Sequence, residues 1–197
     1  MSTLFWGTYV VLWLLVVMLF AAVFFLYHHH GRMLLNSREG RANQGPAVNQ
    51  LLPVAHLHDI DGEAVALGQP QSRSRLIFLA STTCQPCQAA RTALSAFTEK
   101  YRETIETVLV CAGSEQEVRE FAANLPSSVR VVVDSPKKFA AQLRVTSTPF
   151  ALITDPDGIV RGRGVPVTME AFEMMSEQIG IISAHRGREF DTIHVHP

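Results

Sequence analysis

The chain has 197 residues, which is enough for one ordinary domain and an appendage. Its 17 basic and 18 acidic side chains almost cancel to a formal net charge of −1, so the composition offers no basic surface for nucleic acid and no acidic solvating tail. Three cysteines are too few for a small secreted scaffold held together by disulfides, and the chain is long enough to bury a core without them.

The first predicted element is a long apolar helix. Residues 4–27 carry no charge, and at about 1.5 Å per residue such a helix is longer than a hydrocarbon core of about 30 Å. The stretch is too long for a cleaved signal peptide, and no Lys or Arg precedes it. We therefore expect residues 1–30 to form a retained, single-pass transmembrane anchor, with the aromatic rings of Trp6 and Tyr27 near the two interfaces.

Basic residues follow this helix and none precedes it. Arg32, Arg38 and Arg41 lie within the first residues after the apolar stretch, so the positive-inside rule predicts a cytoplasmic C-terminal domain. The three histidines at positions 28–30 could bind a metal, but adjacent imidazoles beside a membrane are more often interfacial polar residues.

A linker and a hairpin are predicted next. Residues 31–50 are polar, contain Gly and Pro and show no apolar period, which is typical of a linker. Residues 51–67 predict two short strands around the turn at residues 59–62, since the Asp and Gly of that turn tolerate the dihedral angles it requires. The folded domain is therefore expected to cover residues 51–182.

Two cysteines stand between a predicted strand and a predicted helix. The apolar residues 76–80 predict a buried strand, and residues 88–101 repeat apolar side chains at helical spacing. At a helix N-terminus, unpaired N–H groups and the helix dipole lower a thiol pKa from about 8.5 towards roughly 3.5–7.5. Cys84 is thus predicted to be a nucleophile, and Cys87, one turn further on, to resolve the mixed disulfide. Pro86 suits the first helical turn because it has no N–H to leave unpaired.

A structural zinc half-site is the alternative interpretation of these two cysteines. A zinc site needs a second pair of Cys or His ligands. Cys111 has no such partner beside it, and His56 and His58 share a strand face without completing a set of four ligands. Cys111 itself is predicted to be a small buried core residue.

The remaining pattern alternates strands and helices. Ser114 and Glu117 form the sequence signature of a helix capping box. The predicted elements after the first helix of the domain are strands at 107–112, 130–133, 150–154 and 159–163, and helices that begin near residues 114, 137 and 168. Strand–helix alternation implies parallel strands with right-handed crossovers, to which the last hairpin adds antiparallel strands. Residues 183–197, including His185, His194 and His196, are predicted to be a polar, disordered tail.

In this order of elements the chain resembles the thioredoxin superfamily. The strand, the Cys84-Gln85-Pro86-Cys87 motif at a helix start and Thr148-Pro149 just before a strand occur in the order of that family. The resemblance implies an α/β thioredoxin-like fold: a central mixed sheet flanked by helices, with an N-terminal β-hairpin and one preceding transmembrane helix. It also implies that Pro149 is cis and lies beside the dithiol, and that the backbone of Thr148 pairs with a bound peptide.

Within the superfamily, the anchor and residues 51–67 look like the anchored, periplasmic, TlpA-like proteins of cytochrome c maturation. The segment at residues 148–155, followed by residues 157–161 and 164–165, is more similar still to the methylamine-utilisation accessory family, MauD. That resemblance implies a location in the bacterial inner membrane with a periplasmic domain, against the arginine count. It further implies a client protein with disulfides or thiols, such as the small subunit of methylamine dehydrogenase, and a separate redox partner protein.

The implied function is protein thiol–disulfide exchange by Cys84 and Cys87, with the dithiol as the redox centre and no other cofactor or metal. Thr83, Gln85 and Pro86 are expected to contact the client together with Thr148 and Pro149. Two departures leave the direction of electron flow open: Thr83 replaces the Trp usual in thioredoxins, and Ala90 stands where the related reductases often have Glu. The alternatives are a tethered chaperone or metal carrier without redox turnover, and a peroxidase.

Overall fold

The computed structural model describes residues 3–34 and 44–177. They fall into two units, one within Met1–Arg41 and the other within Ala42–Pro197. The first unit is a single helix, α1 (Thr3–Leu34), whose side chains Met18, Leu19 and Phe20 are exposed. Within the described residues, no helix has both the length and the apolar character of a membrane crossing. The predicted anchor therefore stays a prediction, and the predicted tail at 183–197 lies outside the described residues.

The second unit is built on a mixed five-stranded sheet. Strand order is β5-β4-β3-β6-β7, with β3, β4 and β5 parallel and with β6 and β7 antiparallel to their neighbours. This confirms the predicted thioredoxin-like α/β architecture. The elements in chain order are β1 (Ala55–His58), β2 (Ala64–Leu67), β3 (Ser74–Ser81), α2 (Gln85–Tyr101), β4 (Ile105–Ala112), α3 (Glu115–Ala122), β5 (Val129–Val133), α4 (Lys138–Gln142), β6 (Phe150–Thr154), β7 (Val160–Gly164) and α5 (Met169–Glu177).

The predicted N-terminal hairpin is present as β1 and β2, an antiparallel pair outside the main sheet. Its turn joins the edge strand β5, because Asp59 forms an antiparallel bridge with Val132 and the N–H of Ile60 donates to the carbonyl of Val131 at 2.8 Å. The hairpin turn therefore occupies part of the β5 edge, where an open strand could otherwise pair with another chain.

Strand β3 is the centre of the domain and is buried along its whole length. Its side chains alternate between two apolar clusters, with Phe78 on one face and Ile77 on the other. Helices α2 and α5 pack on the Phe78 face, where the rings of Phe97 and Phe172 lie 5.4 Å apart between centroids. The apolar side chains that predicted the amphipathic helix are all buried in this cluster: Ala90, Leu94, Phe97 and Tyr101.

The sequence predicts a linker at residues 44–50, but in the structure they pair with β7 and with the loop before β6. The N–H of Asn49 donates to the carbonyl of Val160 at 2.7 Å, and the N–H of Val160 donates to the carbonyl of Gln50 at 2.8 Å. Composition did not reveal this, because the partners of these polar residues lie more than a hundred positions further along the chain.

Candidate functional site

The two cysteines of the motif are joined by a disulfide at the start of α2. Their Cα atoms lie 5.2 Å apart, and Cys84 is the N-cap residue of the helix. The backbone N–H of Cys87 lies 3.2 Å from Sγ of Cys84, and the N–H of Cys84 donates to the carbonyl of Ser81 at 3.0 Å. The end of β3 therefore sets where the first sulfur lies, and the first turn of α2 sets where the second one lies.

The surroundings of the two sulfurs differ. Cys84 is half-buried, whereas Cys87 is fully buried among the apolar residues of the Phe78 cluster. An incoming sulfur can therefore approach Cys84 but not Cys87. No acidic residue lies in the first turn of α2, so nothing there opposes the helix dipole that favours a thiolate at Cys84 once the disulfide is reduced.

The third cysteine belongs to the core, as expected. Cys111 lies on β4 opposite Ala80 and is fully buried. Burial, with a smaller contribution from the negative charge of Glu117, raises the pKa of the Cys111 thiol to about 12. Cys111 therefore stays protonated at neutral pH and is a poor nucleophile.

Thr148 and Pro149 lie at the same edge of the sheet as the cysteines. The antiparallel register pairs Leu79 with Phe150, so the residues that follow Leu79 and those that precede Phe150 emerge together. The Thr148–Pro149 peptide is cis, as the resemblance implies. Pro149 is buried and Thr148 is half-buried. Thr148 and Ala80 both line a cavity of about 40 Å³.

The backbone groups of Thr148 at this edge have no backbone partner in the part of the chain that the structure describes: neither its N–H nor its C=O forms a hydrogen bond with another backbone group. Thr83, Gln85 and Pro86 are exposed around Cys84, and the hydroxyls of Ser81 and Thr83 lie 3.1 Å apart. We call the set of Thr83, Cys84, Gln85, Pro86 and Thr148, in which Cys84 and Thr148 are half-buried and the other three are exposed, the dithiol face.

Comparison with known families identifies the second unit. The family model described as Redoxin matches residues 46–177. The chain belongs to the Redoxin family. The match covers all of the sheet, both cysteines of the motif and the Thr148–Pro149 peptide.

Named relatives of this redoxin chain include methylamine utilization protein MauD of Methylobacillus flagellatus, which is 26% identical over 137 residues. The match covers 68% of this chain and 65% of that relative, so the chain spans slightly less than two thirds of the relative's length. Among solved structures, a thioredoxin-like protein from Aeropyrum pernix has a TM-score of 0.55 at 20% identity over 64% of this chain and 89% of that one. StoA from Bacillus subtilis has a TM-score of 0.54 at 18% identity and covers 66% of this chain and 99% of its own. These two likenesses establish the fold.

The redoxin domain also has a groove that sequence reasoning missed. It has a volume of about 270 Å³, runs from Thr83 to α3 and is lined by Thr82, Thr83, Gln88, Arg91, Glu117, Glu120 and Phe121. The guanidinium of Arg91 lies 5.5 Å from the centroid of the Phe121 ring and donates to the Phe121 carbonyl at 3.1 Å. No sequence motif marks this groove, because its residues come from three separate segments.

The zinc alternative gains no support from the arrangement of side chains. Cys84 and Cys87 are bonded to each other, and His56 and His58 are exposed on β1. Across residues 3–34 and 44–177, no group of three or more His, Cys, Asp or Glu side chains could hold a metal ion.

Sequence reasoning also missed Gln44. Its side chain is almost completely buried against residues 146 and 147, immediately before Thr148. The sequence assigns Gln44 to the linker, since a single polar residue between Asn and Gly gives no pattern that predicts burial.

Proposed function

We propose that this redoxin chain is a membrane-anchored thiol–disulfide oxidoreductase that acts on protein disulfides through Cys84 and Cys87. The observation that carries the proposal is the asymmetry of the disulfide. One sulfur is half-exposed at a helix N-terminus and the other is buried behind it. This is the arrangement that disulfide exchange with a large partner requires, since only one sulfur can form the intermolecular bond.

The exchange proceeds in two balanced steps. In the reductive direction, the Cys84 thiolate attacks one sulfur of a client disulfide, the client S–S bond breaks, and the second client sulfur leaves as a thiolate that takes up a proton. The Cys87 thiol then loses its proton, and its thiolate attacks Sγ of Cys84 and releases the first client sulfur. Two electrons pass to the client and the Cys84–Cys87 disulfide remains. The reverse sequence oxidises a client dithiol.

The backbone of Thr148 is proposed to hold the client next to the dithiol. Its N–H and C=O have no partner in the described backbone, so an extended client segment can pair with them as an added strand. Thr83, Gln85 and Pro86 then form the other side of the contact. Because backbone pairing carries no sequence information, specificity must come from side chains around the dithiol face.

The membrane anchor, the compartment and the client are part of this proposal. The apolar side chains exposed along α1 support an anchor, because a soluble helix rarely leaves such residues uncovered. We place the domain in the periplasm, where disulfides form and persist. The likeness to a methylamine utilization protein supports a client from that process, such as the small subunit of methylamine dehydrogenase, with a second protein renewing the dithiol.

Cysteine variants of the full chain test the catalytic assignment. Reduction of insulin disulfides by dithiothreitol gives the rate, and non-reducing gels show covalent adducts. Cys84→Ser should remove the rate enhancement, because no accessible nucleophile remains. Cys87→Ser, reduced and then freed of dithiothreitol before it is mixed with insulin, should accumulate a mixed disulfide between Cys84 and insulin, because no resolving thiol is present.

Cys111→Ala is the matched control for the loss of one sulfur. It should retain the insulin rate within about twofold, since a buried thiol whose pKa is near 12 takes no part in exchange. Undiminished activity of Cys84→Ser would disprove the assignment. Stoichiometric binding of a metal by the reduced chain, without insulin reduction, would favour the metal-carrier alternative.

A further inference from the structure

We infer that Gln44 is a positioning residue that holds the client-binding loop, defined as residues 146–149, in the shape that presents Thr148 to a client. The inference rests on the proposed function, because it assigns to that loop the docking of an extended protein segment. Gln44 lies 102 residues before the loop in sequence and exposes only 9% of its surface.

One amide side chain satisfies several groups of the loop at once. Oε1 of Gln44 accepts from the backbone N–H of Thr146 at 2.9 Å and from that of Ser147 at 3.0 Å, and the Thr146 hydroxyl lies 3.3 Å from the same oxygen. Nε2 of Gln44 donates to Oγ of Ser147 at 2.7 Å. The amide therefore fixes two consecutive peptide units directly before Thr148.

The backbone of residues 44–46 is itself held in place from β7. Nη1 of Arg163 donates to the carbonyls of Gln44, Gly45 and Pro46, at 3.1, 3.2 and 3.1 Å. Gly45 has φ of +71°, and a Cβ there would lie 2.9 Å from the ring of Phe150, the residue after Pro149. The segment thus packs closely against Phe150 at the start of β6, and Gln44 cannot move away from the loop without breaking these contacts.

The backbone groups of the loop fall into two sets, one bonded inside the protein and one left for a client. The N–H groups of Thr146 and Ser147 are occupied by Gln44 inside the protein, whereas the N–H and C=O of Thr148 stay without a described backbone partner. A client strand therefore meets one defined pair of groups in a fixed orientation. Without the Gln44 amide, the loop loses its two internal anchors and must be ordered again each time a client binds.

Gln44→Met tests the inference, because methionine keeps the volume of the side chain and removes its hydrogen bonds. In the full chain, KM for insulin should rise about tenfold with kcat within about twofold. Thiol–disulfide exchange with 5,5′-dithiobis(2-nitrobenzoic acid), which is too small to need the loop, should stay within about twofold. Amide hydrogen exchange at Thr146 and Ser147 should be slow in the wild type and fast in the variant.

Two further variants serve as controls. Gln44→Glu keeps an acceptor for both N–H groups and can accept from the Ser147 hydroxyl, so its KM should stay within about threefold of the wild type. Asn49→Gly removes the hydrogen bond from Arg161 to the same segment, and glycine suits the φ of +67° at that position. It leaves the loop untouched, so KM should not change.

Equal loss of insulin and small-disulfide exchange in Gln44→Met, or no loss of either, would overturn the inference. Fast exchange of the Thr146 and Ser147 amides in the wild type would overturn it as well, even if the methionine variant does not fold. A wild-type chain that neither reduces insulin nor oxidises a protein dithiol would instead disprove the proposed function, and the amide exchange data would still decide whether Gln44 holds the loop.

Discussion

At the scale of single residues, the three cysteines differ in burial and in position, and this difference determines which of them can react. Cys84 is half-buried at a helix start, Cys87 is buried one turn further on, and Cys111 is buried on β4. The spacing of the first two already predicted their pairing and their helix N-terminus. Their difference in exposure required the packing of α2 on the sheet, which no local pattern contains.

The buried thiol of Cys111 gives a pH-dependent contribution to stability. Its folded pKa is raised by burial to about 12, above the ordinary value of 9.0, so the folded protein holds this proton more tightly than the unfolded chain does. The contribution is complete below about pH 9 and is lost as the pH rises towards 12. The free energy of unfolding should therefore fall less between pH 8 and about pH 11 in Cys111→Ala than in the wild type.

Urea denaturation of the oxidised protein across this pH range measures the difference. Tyr101 and Lys100 also have raised pKa values, the first mainly because of burial and the second mainly because of its hydrogen bond with Glu173. Both are present in the two proteins, so their contributions cancel in the comparison. Parallel pH profiles for wild type and variant would show that Cys111 ionises equally easily in the folded and unfolded chains.

At the scale of elements, two hairpin turns share one construction. In the β1–β2 turn, the Asp59 carboxylate accepts from the N–H groups of Asp61 and Glu63, and in the β6–β7 turn Asp155 accepts from those of Asp157 and Ile159. The sequence predicts the first turn from its Asp and Gly residues and the second from the spacing of the strands in the last hairpin. The arginine that pairs with Asp59 was not predictable, because Arg130 lies 71 residues further along the chain.

Asp59 links the β1–β2 hairpin to the edge strand β5, and replacing it should lower the stability of the protein by a measurable amount. Arg130 on β5 donates to the Asp59 carboxylate at 3.0 Å, and that side chain is only 9% exposed. Asp59→Ala should lower the free energy of unfolding by about 1–2 kcal/mol, because it removes the charged hydrogen bonds of a largely covered carboxylate to a partly exposed arginine. Amides of β1 and β2 should then exchange faster with solvent, since the hairpin loses its link to β5.

Asp59 should also make the folded protein less stable in acid. Burial opposes ionisation of Asp59, but the hydrogen bonds from Arg130, Glu63 and Asp61 outweigh it and hold its pKa below the ordinary 3.8. The contribution is therefore present above about pH 3.8 and disappears as the pH falls through the lower folded value. Asp61→Ala, in the same turn but exposed, is the control and should change stability by less than about 0.5 kcal/mol. A pH-independent gap between wild type and Asp59→Ala would contradict this account.

At the scale of the whole molecule, sheet topology brings the chemistry together. β3 runs antiparallel to β6, so the end of β3 that carries Cys84 meets the start of β6 that carries Pro149. Strand–helix alternation predicted the parallel part of this sheet, and the motif order suggested the rest through family resemblance. The position of residues 44–50 escaped prediction because their partners are on β6, β7 and the loop before β6, and only the finished fold brings them into contact.

The proposed compartment is tested by a reporter of topology, because the charges near α1 oppose the placement of the domain. Alkaline phosphatase folds only where its disulfides can form, so a fusion after Glu177 should be active in a Gram-negative host if the domain is periplasmic. Arg32, Arg38 and Arg41 follow the apolar stretch and favour the opposite orientation. Replacing all three with glutamine should therefore leave the phosphatase active or raise its activity, whereas a fusion that starts at Ala42 should be inactive. If the fusion after Glu177 is inactive while the fusion protein is present, the domain lies in the cytoplasm, where thiols are kept reduced. Reduction of client disulfides would then be the direction of exchange.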